Sequence, residues 1–274
     1  FQGDDLRMFA HGGGDASAPR IGRNHVAAIA DMGAGAGLLD YDADGDLDVV
    51  GGGYSELYAF DNDGRGRFSE EGLWSGAALD RHGAAQAGMG VAVGDADGDG
   101  LADMFVTHFE SDSSTLYRNL GDLAFADETE QRGLRAATFA PLSWGTVFAD
   151  FDLDGDEDLF VANGHIYPQA DQLASGAMRY AQANQLLENQ RGRFHDVSSD
   201  AGSGLAVLES SRGVAAGDID NDGDVDLVVT NSGSDDLSLL RGAGEGRCPT
   251  ECAAGRGSDR RGRVLEPIWE WRLP

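Results

Sequence analysis

Aspartate recurs at alternate positions in four short stretches: DYDADGDLD from Asp40, DADGDGLAD from Asp95, DFDLDGDED from Asp150 and DIDNDGDVD from Asp218. All four fit DxDxDGxxD. Positions 1, 3, 5 and 9 are Asp40, Asp42, Asp44 and Asp48 in the first; Asp95, Asp97, Asp99 and Asp103 in the second; Asp150, Asp152, Asp154 and Asp158 in the third; and Asp218, Asp220, Asp222 and Asp226 in the fourth. A loop turned by the glycine at position 6 can converge these oxygens on one point, and a hard cation with six to eight oxygen ligands wants that arrangement. Position 7, which is Asp46, Leu101, Asp156 or Asp224, would contribute its backbone carbonyl, and the leucine shows that no side chain is needed there. Two carboxylates ~5 Å apart repel by about 3 kcal/mol at an effective dielectric of ~20, so such loops call for a counter-ion. Calcium suits them better than magnesium, and zinc would want His or Cys. The expectation is up to four Ca2+ ions, one per loop.

The motif fits an EF-hand only in its first half. An EF-hand needs Glu at position 12, where this chain has Gly51, Val106, Val161 and Val229, and it needs flanking helices. Here a short apolar segment precedes each loop (AGLL, VAVG, TVFA, VAAG) and another follows it (VVGGG, FVTHF, FVANG, VVTNS). Then come YAFDNDGRGRF, LYRNLGDLAF and LLENQRGRF, an apolar pair, a turn and a Phe, which read as strand, turn, strand. The first aspartates lie 55, 55 and 68 residues apart, the last interval stretched around PQADQLASGAMRYAQ. Each unit is the size of one propeller blade, and 3.6-residue periodicity is confined to the insert at 169–183. A blade cannot bury its faces alone, so neighbours must stack around an axis. The fold class expected is all-β, a β-propeller with about four recognisable blades. The expected organisation is a leading segment at 1–32, a repeat domain at 33–241 with units near 33–87, 88–143, 144–211 and 212–241, and an atypical Arg/Gly-rich tail at 242–274.

The net charge of -28 and a pI near 4.2 exclude nucleic acid and anionic membrane surfaces as partners and favour cations. No stretch approaches the ~18 apolar residues of a membrane span. No Ser, His and Asp spacing resembles a hydrolase elbow, and no glycine loop precedes a helix as a phosphate site requires, so no enzyme is expected. Four alike acidic sets also argue against a hydrolase or lyase, which needs one site. Trp144, Phe148 and Phe160 flank the third loop and are read as blade core, and His165 in VANGHIYP as a turn histidine bonded to backbone. The glycine triplets 12–14 and 51–53 are turn or close-packing residues. Cys248 and Cys252, in CPTEC, are too sparse for a disulfide scaffold or a zinc site.

The four loops resemble the FG-GAP or VCBS repeats of integrin-type β-propellers. More narrowly, GMGVAVGDADGDG, TLYRNLGD, SWGTVFADFDLDGDEDLFVANGHIYP, NQLLENQRGRFHDVS and SRGVAAGDIDNDGDVDLVVTN resemble the cartilage acidic protein family, whose bacterial members carry an ASPIC/UnbV domain. The resemblance implies a secreted, cell-surface or periplasmic calcium-binding propeller without catalytic residues, serving adhesion or the binding of a protein or glycan. The alternative is a non-catalytic scaffold of a biosynthetic or polysaccharide-degrading assembly. Related propellers usually have seven blades, so this chain is expected to be a truncated ring or half of one. After LSLL the family pattern stops, and the stretch from Arg241 to Pro274, with 7 of the 20 arginines and both cysteines, is read as an out-of-frame or terminal artefact in preference to a docking arm.

Overall fold

The computed structural model describes residues 35–53, 56–173, 179–242, 257–258, 264–265 and 269–271. The leading segment 1–32, the triplet 12–14, both cysteines and most of the tail lie outside them. The described chain is all-β, with the expected β-propeller architecture of stacked four-stranded blades.

In each blade the segment before the aspartate loop and the segment after it pair antiparallel, so the loop is a strand-to-strand connection. The first sheet runs β1 (Ala36–Leu39), β2 (Asp48–Gly52), β3 (Leu57–Asn62), β4 (Phe68–Glu70). The second runs β5 (Val91–Gly94), β6 (Asp103–Val106), β7 (Thr115–Asn119), β8 (Phe125–Asp127). In the third, β9 (Ser143–Ala149) and β10 (Asp158–Asn163) are followed by the insert, which forms a helical turn at Ala170–Leu173 and a short strand β11 (Gln182–Ala183). β12 (Gln185–Asn189) and β13 (Phe194–Asp196) complete that sheet, while β11 pairs with β14 (Leu208–Glu209) outside it. The third and outer strands of these three blades are hairpin partners, as the turn-rich sequences between them require.

The fourth blade starts alike, with β15 (Ser211–Gly217), β16 (Asp226–Asn231) and β17 (Asp236–Gly242), but departs at its edge. Among the described residues, β17 has no antiparallel partner on its outer side. Beyond a small pair, β18 (Gly257–Ser258) and β19 (Val264–Leu265), the outer place goes to β20 (Trp269–Trp271), which pairs parallel to β17. The loss of the Asn-containing turn after LSLL is the cause, because a parallel partner needs a long return connection where an antiparallel one needs only a turn.

Stacking decides which residues are apolar. Side chains alternate faces along a strand, so Met104 and Val106 face the first sheet, where they meet Leu39, Val50 and Ala59, whereas Phe105 faces the third and meets Phe148, Leu159 and Val161. Phe160, Ala162 and Leu186 face the fourth sheet and its Leu227, Val229 and Leu240. A strand buried on both faces reads as an unbroken apolar run, which is why DLFVAN and DMFV lack alternation. The innermost strands approach closely at small residues. A Cβ on Gly145 would stand 2.6 Å from the Arg212 carbonyl oxygen of the next blade.

Candidate metal centres at the aspartate loops

All four loops fold by the same local chemistry. The position-1 carboxylate caps the turn: Asp40 accepts from the backbone N–H groups of Asp44 and Gly45 at 3.1 and 3.0 Å, and Asp150 from those of Asp154 and Gly155 at 3.1 and 3.0 Å. Asp95 and Asp218 do the same in their loops. The position-5 carboxylate accepts the N–H of position 7, at 2.9 Å for Asp46, Leu101 and Asp156 and 3.1 Å for Asp224. Position 7 thus gives its own N–H to the turn, a bond that leucine makes as well as aspartate. The glycine at position 6 has φ between 87 and 100° in every loop. Position 4 is left-handed too, at Ala43, Gly98, Leu153 and Asn221, and only the second loop fills it with glycine.

Position 9 belongs to the blade as much as to the loop. Asp158 is fully buried and accepts from the N–H groups of Phe151 at 3.0 Å and Asn189 at 2.7 Å, tying the loop's start to the end of β12. Asp48, Asp103 and Asp226 repeat this with Tyr41 and Asn62, Ala96 and Asn119, and Ile219 and Gly242. The asparagines go further. Asn119 Nδ2 donates to the Ala102 carbonyl of its own loop and to Tyr41 in the preceding blade's loop, and Asn189 Nδ2 donates likewise to Glu157 and Ala96. Sequence reasoning took Asn119 and Asn189 for turn residues. Their place directly before the turn was the available signal.

These bonds gather the carboxylates. Ligand oxygens of Asp40, Asp42 and Asp48, of Asp150, Asp152 and Asp158, and of Asp218, Asp220 and Asp226 lie within 4.8 Å of one another in each set. In the second loop the set is Asp95, Asp97 and Asp99, with position 5 in place of Asp103. Asp44, Asp154 and Asp222 stand outside the tight sets, and so do the side chains of Asp46, Leu101, Asp156 and Asp224. The donors are carboxylates alone, without His or Cys, a chemistry that fits a hard divalent cation.

Burial, with crowding of the carboxylates, shows in the protonation equilibria. Burial, with the loop carboxylates Asp97 and Asp99 adding to it, pushes Asp103 up to about 7. Burial, with Asp152 and Asp154, does the same for Asp158, also to about 7. Asp152 is pushed up to about 6 by burial and by its neighbours Asp154 and Asp150, and Asp48 and Asp226 are raised for the same reasons. Asp97 is the exception. Burial would raise it, but Arg118 and Arg132 outweigh that and hold it below the usual carboxylate range.

A pH dependence follows for the metal-free protein. Carboxyls raised in the folded state bind more protons there than in the unfolded chain between about pH 4 and pH 7, so stability falls as pH rises through that window. Each pKa unit is ~1.4 kcal/mol. Urea midpoints measured in chelator should be lower at pH 7.5 than at pH 5, and calcium should remove the difference. A midpoint that climbs with pH in chelator would contradict this.

At the opposite end of the strands, Arg212 lies 4.3 Å over the Trp144 ring and donates to the carbonyls of Gly164, His165 and Ser211. His165 Nδ1 accepts the Tyr167 N–H at 3.0 Å, and its Nε2 lies 3.4 Å from Glu110 Oε1. Phe148 and Phe160 are core, as expected, but Trp144 is only half-buried because it sits at the rim beneath Arg212. Tyr167 is 58% exposed there.

Four stacked four-stranded blades, each with an aspartate loop after its innermost strand, define a propeller-type repeat protein. Residues 40–106 and 95–161 match the FG-GAP-like repeat family and 211–247 the FG-GAP repeat family. The chain is an FG-GAP repeat protein. No curated protein is matched by the chain. Among solved structures, an Agrocybe aegerita lectin described for specific recognition of non-reducing terminal N-acetylglucosamine is similar at 20% identity and a TM-score of 0.40. The match covers 70% of this chain and 45% of the lectin, so the chain spans under half that protein's length, and a likeness of this degree bears on neither ligand nor activity. Among the described residues, no helix is long and apolar enough to cross a membrane.

Proposed function

We propose that the protein is a calcium-stabilised, non-catalytic binding propeller acting outside the cytoplasm, in adhesion or in the capture of a protein or glycan. The observation that carries this is the fourfold recurrence, at one junction of the blade, of three carboxylate oxygens within 4.8 Å. A catalytic carboxylate pair would be expected once; a structural support is expected in every unit. The ion's role is to neutralise the loop that joins the two innermost strands, and Asp48, Asp103, Asp158 and Asp226 would pass that constraint to the third strand through their backbone hydrogen bonds. The motifs shared with the cartilage acidic protein family support an extracellular or periplasmic setting. The partner's place would be the end of the strands away from the loops, where Tyr167 is open to solvent. Glycan and protein arrays probed with the chain in calcium and in chelator test this reading. Capture in calcium that disappears with chelator is expected; catalytic turnover of any ligand, or capture indifferent to chelator, would refute it.

A further inference from the structure

The four loops are chemically alike but differ in what faces them. The residue just before the one that donates to the position-9 aspartate is Asp61, Arg118, Glu188 and Arg241 in blades one to four. In the second blade, Arg118 Nε donates to Asp97 Oδ2 and its Nη2 lies 2.8 Å from Asp99 Oδ2. Arg132 Nη2 reaches the same Asp97 oxygen at 2.8 Å, while its Nε holds Glu128 and its Nη1 the Gly192 carbonyl of the next blade. These pairs are largely sheltered from water, with side-chain exposures of 29% for Arg118, 17% for Arg132 and 11% for Asp97. In the fourth blade the contact of Arg241 with Asp220 at 3.0 Å is more open and therefore more screened. Among the described residues, no arginine side chain pairs with an aspartate of the first or third loop. The second loop is also the one whose gathered set has Asp99 in place of position 9.

We propose, resting on the calcium reading above, that Arg118 with Arg132 is a tethered counter-cation of the second loop, so that this loop takes up a divalent ion least tightly of the four. Two guanidinium groups meet the negative charge that the first and third loops leave to an ion, and a cation entering must share Asp97 and Asp99 with them. Asp97 Oδ1, buried without a hydrogen-bond partner, is the oxygen left for it.

Calorimetric titration of calcium into chelator-treated protein should show one ion binding about tenfold more weakly than the rest, a gap of ~1.4 kcal/mol. Arg118→Gln should close that gap, and Arg118→Lys should keep most of it. Four equal sites in the parent chain, or a titration unchanged by Arg118→Gln, would overturn the proposal. Melting in chelator separates it from the calcium reading. There Arg118→Gln should melt below both the parent and Arg118→Lys, because Asp97 and Asp99 lose their counter-charge, and saturating calcium should restore it. If the parent ignores calcium, the calcium reading fails and with it the ranking of sites, and only the counter-charge role of Arg118 in the metal-free loop stands; if Arg118→Gln melts with the parent in chelator, the tethered counter-cation fails.

Discussion

Withdrawing calcium should lower the melting midpoint by about 15–45 °C. Each site saturated a hundredfold above its dissociation constant adds about 2.7 kcal/mol if the unfolded chain does not bind, and three or four such sites reach ~8–11 kcal/mol. In a chain of this size each kcal/mol is worth roughly 2–4 °C. The effect is larger than any single substitution offers because it acts on every blade together. It has a structural route: loops whose carboxylates repel would loosen at the junction of the two innermost strands, and the position-9 aspartates carry that loosening to β3, β7, β12 and β17. Differential scanning calorimetry in millimolar calcium and in excess chelator is the measurement. Superimposable traces would count against ions in these loops.

The second large effect is expected at Asn189. Its side chain, 2% exposed, donates to the carbonyls of Ala96 and Glu157, both at 3.0 Å, and accepts the Gly192 N–H at 2.8 Å. Asn189→Ala leaves three backbone groups, two buried and one part-buried, without a partner at once and unties the second blade's loop from the third blade. At ~1–3 kcal/mol for each stranded group, with some relaxation, the loss should be about 3–5 kcal/mol. Asn62 provides the control within the same molecule. It occupies the same place in the first blade, but its Nδ2 reaches only the Leu47 carbonyl and its Oδ1 has no hydrogen-bond partner. Asn62→Ala should cost about 1 kcal/mol. Urea denaturation of the two variants compares them directly, and equal losses would show that the bond between blades contributes little.

The contrast between these asparagines marks where sequence reasoning stops. The blades were legible because the aspartate loop, the apolar segments around it and the turn before a Phe recur in phase, and periodicity is a local property. The convergence of Asp150, Asp152 and Asp158 was legible for the same reason, since a tight loop with glycine at its sixth position brings those carboxylates together wherever it sits. What Asn189 reaches was not legible. Ala96 lies 93 residues earlier and becomes its neighbour only through the stacking of blades. Arg118 and Arg132 were not legible either, because an arginine on a strand or in a turn looks like any solvated charge until the loop beside it is known. The left-handed backbone at position 4 was hidden by its occupants, alanine, leucine and asparagine in three loops of four. Trp144, expected in the core, sits at the rim because an arginine from the following blade covers it, again a relation between blades.

Equilibrium dialysis against labelled calcium, with bound ions counted per chain, tests the central claim most directly. Three or four ions are expected near millimolar calcium, and Asp152→Ala combined with Asp154→Ala should remove one ion and spare the others, since repeat stabilities are local. A chain that retains no calcium above the level of a neutral control protein, or a double variant that retains as much as the parent, would contradict it.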